Sequence, residues 1–146
     1  MSQTEELYQL LMSTLLLLDD GNNRFFQQYG MTGVRFHTLK HVSQNPGISL
    51  SDLSRRLLCT KGNATRIVKS MESDGYLRRE ENPGDNRAMR LYITPDGETL
   101  WREVSQAHLA FNESRFGKLS PPEQSALHQE LVTLNDHLNA MLHSLK

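Results

Sequence analysis

Residues 60–94 read TKGNATRIVKSMESDGYLRREENPGDNRAMRLYIT, and within this run the hydrophobic period changes. Ala64, Ile67, Val68 and Met71 recur at helical spacing, so a helix is expected from near Thr60 to a C-cap glycine at Gly75, with that face inward. Beyond Gly75 the pattern shortens. Tyr76-Leu77-Arg78-Arg79 reads as a strand, Asn82 to Asn86 as a turn, and Met89-Arg90-Leu91-Tyr92-Ile93 as the returning strand.

Working outward from this unit, residues 5–28 read as a first helix, with Leu7, Leu10, Leu11, Leu15 and Leu18 at spacings of three and four. Gly21-Asn22-Asn23 is expected to weaken or bend it before Phe25 and Phe26. Thr32 is a suitable N-cap for a second helix carrying Val34, Phe36, Leu39 and Val42, which the Asn45-Pro46-Gly47 turn closes. Ser49 to Asp52 has capping-box spacing and opens a third helix with Leu53 and Leu57 inward. After the hairpin, Thr94-Pro95 caps a fifth helix whose inner face is Leu100, Val104, Ala107 and Phe111. Ser120-Pro121-Pro122-Glu123 starts a last helix in which Leu127, Leu131, Leu134, Leu138, Met141 and Leu145 form a stripe of the coiled-coil kind. The expected fold is therefore mainly α with a small β-hairpin wing: a winged helix-turn-helix over residues 32–97, flanked by helices over 1–30 and 98–146.

A chain of 146 residues with 37% apolar content has room for one core, so a single domain is expected. The longest apolar run, Leu15 to Leu18, is followed at once by Asp19 and Asp20. It makes neither a membrane span nor a signal-peptide core, and a cytoplasmic location is expected. The one cysteine, Cys59, forms no internal disulfide and suits a reducing compartment. Net charge is −1, but it is unevenly placed. Residues 1–48 carry −1, residues 49–93 carry +3 and residues 94–146 carry −3. A basic middle third between acidic helices provides the local positive field that steers a protein to phosphate.

With one face of the 60–74 helix inward, Lys61, Gly62, Asn63, Thr65, Arg66, Lys69, Ser70 and Ser73 point outward, and no acidic residue precedes Glu72. A helix entering the major groove needs this composition: slim residues near its N-terminus, long donors for bases and phosphates, and no carboxylate facing the backbone. Its N-terminus, near Thr60, can itself receive a phosphate. The same amphipathicity fits any surface helix, and the hairpin tips the balance. Arg87 at the hairpin tip suits insertion into a narrow minor groove, whose negative potential attracts arginine. Asp85 is placed to hold the loop or pair with a nearby arginine, and Arg90 adds a further cation on the returning strand.

The run from Tyr29 to Leu100, with GMTGVRFHTLKHV, NPGISLSDLSRRL and NATRIVKSMESDGYLRREENPGDNRAMRLYITPDGETL, resembles the MarR family of bacterial transcriptional regulators. Thr65-Arg66, Gly75, Leu77, Arg79, the Asp85-x-Arg87 wing, Thr94 and Gly97 fall where that family's pattern has such residues. Asn86 departs from it, since many members have a basic residue there. The resemblance implies a homodimer in which the first, fifth and sixth helices interlock, with two lobes reading a palindromic operator in double-stranded DNA. A last helix of roughly 38 Å, at 1.5 Å per residue, carries more leucine than a domain this small needs to cover itself.

Three features are candidates for a switch. Cys59 lies just before the recognition helix with Lys61 close by, a setting that makes sensor cysteines reactive; the alternative is a small buried residue in the turn. His37 and His41 are four apart on one helix, a spacing that suits a metal if a third ligand such as His108 approaches, although no metal is assigned. Phe25, Tyr29 and Phe36 lie near where related proteins bind small aromatic acids, and such aromatics are as readily core. No cofactor is expected. An enzyme reading lacks parts: there is no glycine-rich phosphate loop, nucleophile elbow or locally supported Cys/His pair. The rival reading is a winged-helix module for protein or RNA contacts, its basic face merely solvated.

Overall fold

A computed structural model describes residues 1–82 and 85–145, the side chains of residues 82–88 excepted. Among these residues the order is α1 (Gln3–Gln27), α2 (Gly33–Gln44), β1 (Ile48–Ser49), α3 (Leu50–Arg56), α4 (Lys61–Ser73), β2 (Leu77–Asn82), β3 (Asp85–Ile93), α5 (Pro95–Phe116) and α6 (Pro121–Ser144). They fall into two compact units, Met1–Gln106 and Ala107–Lys146, and the expected 32–97 lobe lies wholly within the first.

In the first unit the helices begin where hydroxyls meet orphan amides. Thr32 Oγ1 accepts from the Arg35 amide at 3.3 Å, Ser49 Oγ from Asp52 at 3.1 Å, and Thr60 Oγ1 from Asn63 at 3.1 Å. Each satisfies a donor that the first helical turn leaves without a partner. The expected capping box at Ser49 is half formed, because the Asp52 carboxylate turns to the Arg55 guanidinium instead of back to the cap. Thr94 does double duty, accepting from the Gly97 amide at 3.0 Å and donating to the Gly75 carbonyl at 2.6 Å. That hydroxyl fastens the start of α5 to the end of the α4 turn, where Gly75 takes the left-handed conformation at φ +87°.

α1 stays helical through Gly21-Asn22-Asn23, with the fully buried Phe26 holding its last turn against the core. The sheet has three strands in the order β1-β3-β2, not two. The extra strand pairs Ile48 with Leu91 and Ser49 with Arg90. Two residues are too few for an alternating pattern to register. The hairpin itself pairs Leu77 with Ile93, Arg79 with Leu91 and Glu81 with Met89, then shifts register so that Asn82 meets Asp85. β3 thus starts earlier than Met89, and Asp85 and Asn86, expected in the turn, lie on this strand.

The core beneath these elements is built from fully buried Phe26, Leu39, Val42, Leu53, Val68, Met71, Leu77, Leu91 and Val104. Phe26 and Phe36 stack with centroids 4.7 Å apart, and Trp101 closes on Phe36 at 5.2 Å. Of the expected inner face of α5, Val104 is buried and Leu100 half-buried against the same cluster. In the second unit, a complete capping box between Ser120 and Glu123 starts α6, and the Gln124 carboxamide donates to the Phe116 and Leu119 carbonyls at 3.1 and 3.0 Å, closing the turn. α6 buries none of its residues.

Candidate nucleic-acid interface

Three side chains fix which face of α4 looks outward. Ala64, Val68 and Met71 are at most 1% exposed, which leaves Lys61, Gly62, Asn63, Arg66, Lys69 and Ser70 in solvent. Ile67, expected inward, is only half-buried at the edge of this face. The helix N-terminus behind the Thr60 cap opens on the same side as these donors, and its partial positive charge adds to theirs. Thr65 is half-buried and spends its hydroxyl on the Lys61 carbonyl at 2.8 Å, so its methyl and not its proton is the outward group. The Arg66 guanidinium donates to the Asn63 carboxamide oxygen one turn earlier.

Two ion pairs clamp the far end of α4. Arg35 of α2 pairs with Asp74, and Arg79 of β2 takes both oxygens of Glu72 at 2.9 and 3.0 Å. That second bond holds the Arg79 proton more firmly than usual, the Glu72 hydrogen bond being the main cause. The same pairs offset the charge of the two acidic groups at the end of α4.

On the wing, Arg78 lies over the Tyr92 ring at 4.5 Å and pairs with Glu80. Arg90 donates to the Gly47 carbonyl at 3.1 Å, so this candidate contact residue also ties β3 to the turn before β1. Asp85, Asn86 and Arg87 stand on the β3 backbone, and their side chains lie outside the described residues.

Between α3 and α4, Leu58 adopts φ +54° with its side chain 89% exposed. A left-handed leucine is strained, and sequence reading passed over it because only glycine or asparagine would have flagged the conformation. The Cys59 amide donates to the Ser54 carbonyl at 3.1 Å, and its half-buried side chain lines a cavity of about 490 Å³ with Thr32, Val34, Arg35, Asn63, Arg66, Ile67 and Ser70. This places the thiol in a groove beside α4 and not in the core.

The aromatic trio proves to be a structural cluster. Phe36 is buried, and Phe25 and Tyr29, 5.5 Å apart, pack half-buried around the same core. Tyr29 borders a small void of about 30 Å³. The open space lies on the other side of α2, where His37 and His41 line a cavity of about 550 Å³. Burial, and then the neighbouring Lys40 charge, hold both imidazoles below the ordinary histidine range, and Arg56 adds to the effect at His41. Among the described residues no group of three His, Cys, Asp or Glu side chains is arranged to hold a metal. His108 belongs to the second unit, where its Nδ1 lies 3.5 Å from the Asn112 amide nitrogen.

The sequence model of the MarR family matches residues 29–88, the span of this lobe from the end of α1 to the wing. The chain is 29% identical over 137 residues to the transcriptional repressor MprA of Escherichia coli, covering 92% of this chain and 78% of that protein. It is 27% identical over 108 residues to the HTH-type transcriptional regulator BilQ of Clostridioides difficile, covering 74% and 73%. Its fold is shared by Sco3205 of Streptomyces coelicolor, a MarR-family transcriptional regulator solved in complex with DNA, with a TM-score of 0.85 at 23% identity and coverage of 94% and 93%.

Proposed function

We propose that this chain is a transcriptional regulator of the MarR family that reads a palindromic operator in duplex DNA as a homodimer, acting as a repressor. The observation that carries the reading is the outer face of α4: an N-terminal turn of small and basic residues, free of carboxylate and held from behind by three buried side chains. Lys61 and Lys69 supply phosphate contacts, Asn63 and Arg66 reach base edges, and Arg87 of the wing enters the adjacent minor groove. Asp85, Asn86 and Arg90 support the wing. The repressor role leans on the likeness to MprA, which bears that description.

The dimer is supported by two apolar faces that the single chain leaves open. On α1, Leu7, Leu10, Leu16 and Leu17 are each more than 60% exposed. On α6, Leu127, Leu131, Leu138 and Met141 are 41–49% exposed and Leu142 and Leu145 more so. Apolar side chains left open along a helix in this number mark a protein interface. A second copy of the chain satisfies it symmetrically, and the pair then presents two α4 helices to half-sites one turn apart, about 34–36 Å. A small ligand or an oxidant that changes the angle between the lobes modulates affinity without touching the reading residues. A protein of this role works beside the chromosome, in the cytoplasm.

The test is a titration against the upstream intergenic DNA at two salt concentrations. Phosphate contacts give a fall in affinity with salt whose logarithmic slope is about −0.9 per contact. Arg87→Ala weakens binding several-fold and leaves the dimer, read by light scattering, intact. Equal affinity for wild type and Arg87→Ala discards the wing contact; a monomer in solution discards the two-lobe reading.

A further inference from the structure

Three helices of the first unit, α1, α3 and α4, end in the same hydrogen-bonded turn. In each, one amide donates three residues back and the next donates five residues back. Gly30 bonds to Gln27 and Met31 to Phe26 at 3.1 and 3.0 Å, Gly75 to Glu72 and Tyr76 to Met71 at 3.0 and 2.9 Å, and Leu58 to Arg55 and Cys59 to Ser54 at 3.2 and 3.1 Å. The apex residue of each turn is left-handed, with φ +63° at Gly30, +87° at Gly75 and +54° at Leu58. Glycine takes that conformation freely, whereas leucine crowds its Cβ against the backbone carbonyl.

The fold returns nothing for this strain. The apolar contact of such a turn is made by the residue after the apex, and Met31 is accordingly buried and Tyr76 and Cys59 half-buried. Leu57 and Cys59, on either side of Leu58, line cavities of the lobe. Leu58 itself is 89% exposed, more than any other large apolar side chain among the described residues. Its place is nevertheless fixed, because both amides of the turn are bonded and Thr60, two residues on, caps α4. At most about 7 Å of chain separates it from that cap.

We propose that Leu58 is a base-reading residue, whose side chain packs against the C5-methyl group of a thymine in the major groove that α4 enters. Thymine carries the one apolar group presented on a base edge there, so an apolar side chain beside the leading turn of α4 selects A·T over G·C at its step. The bonded turn delivers that side chain with little backbone freedom left to lose, and burial of both groups from water adds to affinity. Strain that burdens the free chain is offset only in the complex. This inference rests on the DNA-reading role of α4. Thr65 also turns a methyl outward, its hydroxyl being held by the Lys61 carbonyl. Thymine preference alone therefore does not assign the contact to Leu58, but dependence of that preference on Leu58 does.

Anisotropy titrations of the full chain decide the matter, using the upstream intergenic duplex, the same duplex with uracil in place of every thymine, and a scrambled duplex. Uracil pairs as thymine does and lacks the methyl group. Wild type is expected to lose about fourfold or more per half-site on the uracil duplex, the worth of one buried methyl group. Leu58→Asn tolerates the left-handed turn, and its melting temperature is expected not to fall. It weakens binding to the thymine duplex about tenfold, reduces the thymine-to-uracil affinity ratio, and keeps the wild-type salt slope because no phosphate contact is lost. Leu58→Met keeps an apolar side chain of similar size and most of the ratio. The proposal is overturned if Leu58→Asn binds the thymine duplex as wild type does, if it leaves the ratio unchanged, or if Leu58→Met loses the ratio as fully. A wild type that still prefers the intergenic to the scrambled duplex then retains its operator-reading role; one without that preference fails both readings.

Discussion

Arg79 grips Glu72 with both arms of its guanidinium, Nε to Oε2 at 2.9 Å and Nη2 to Oε1 at 3.0 Å, and so ties the first strand of the wing to the last turn of α4. The two elements that are to meet adjacent grooves are thereby locked to one another. Both side chains are about one-third exposed, at 30% and 34%, so solvent screens the pair and its contribution to stability is about 1 kcal/mol. Denaturant unfolding of Arg79→Ala, Glu72→Ala and the double variant measures it as a coupling energy. A coupling near zero shows that the clamp fixes orientation without adding stability.

Gly97 is required by contact and not by backbone angle. A Cβ there runs into the Tyr76 carbonyl oxygen and lies 2.8 Å from Ile93 Cγ1, neither of which is free to move without disturbing the α5 cap or the β3 strand. Gly97→Ala is expected to lower stability by about 2 kcal/mol, in the range of overpacked cores. The melting temperature checks it, and an unchanged value means that α5 starts elsewhere in solution.

Leu58 offers the opposite sign. Its left-handed backbone costs about 1–2 kcal/mol, and its exposed side chain returns almost no burial. Leu58→Gly removes the strain but adds about 0.5–1 kcal/mol of chain entropy to the unfolded state, leaving a net gain of about 0.5 kcal/mol. A rise in thermal midpoint is the expected result. A fall shows that the leucine packs against something, a partner lobe being the nearest possibility to test.

His37 and His41 set a pH dependence. Burial and the Lys40 charge depress both folded-state values, so between those values and the ordinary one the unfolded chain binds more protons than the folded chain. The stability they contribute is full above the unfolded value and is lost as pH falls through it. In the absence of anions, unfolding midpoints between pH 7.5 and 5.5 are expected to fall more for wild type than for His37→Gln/His41→Gln. An identical slope in the two proteins contradicts this.

The parts of the fold that announce themselves in the sequence are those in which one local signal suffices. Thr32, Ser49, Thr94 and Ser120 all cap the helices expected of them, because a hydroxyl before a helical run has one strong use. The inward face of α4 was likewise legible from Ala64, Val68 and Met71. What stayed hidden depends on distant residues. β1 exists only because Leu91 and Arg90 lie opposite Ile48 and Ser49. The bond from Arg90 to the Gly47 carbonyl and the cavity beside His37, which needs Arg56 and Asp19, join residues that no spacing rule connects. For Phe25, Tyr29 and Phe36 the sequence leaves core and pocket wall both open, since period alone does not tell a packed ring from one that lines a pocket.

The central claim is that the outward face of α4 reads DNA sequence. Fluorescence anisotropy at one fixed salt concentration, comparing the upstream intergenic duplex with a scrambled duplex for wild type and Arg66→Ala, tests it directly. Wild type is expected to prefer the intergenic duplex by about 10³-fold or more, and Arg66→Ala, with unchanged melting temperature, to reduce that ratio by about tenfold. Equal affinity of wild type for the two duplexes, or a ratio that Arg66→Ala leaves untouched, contradicts the claim.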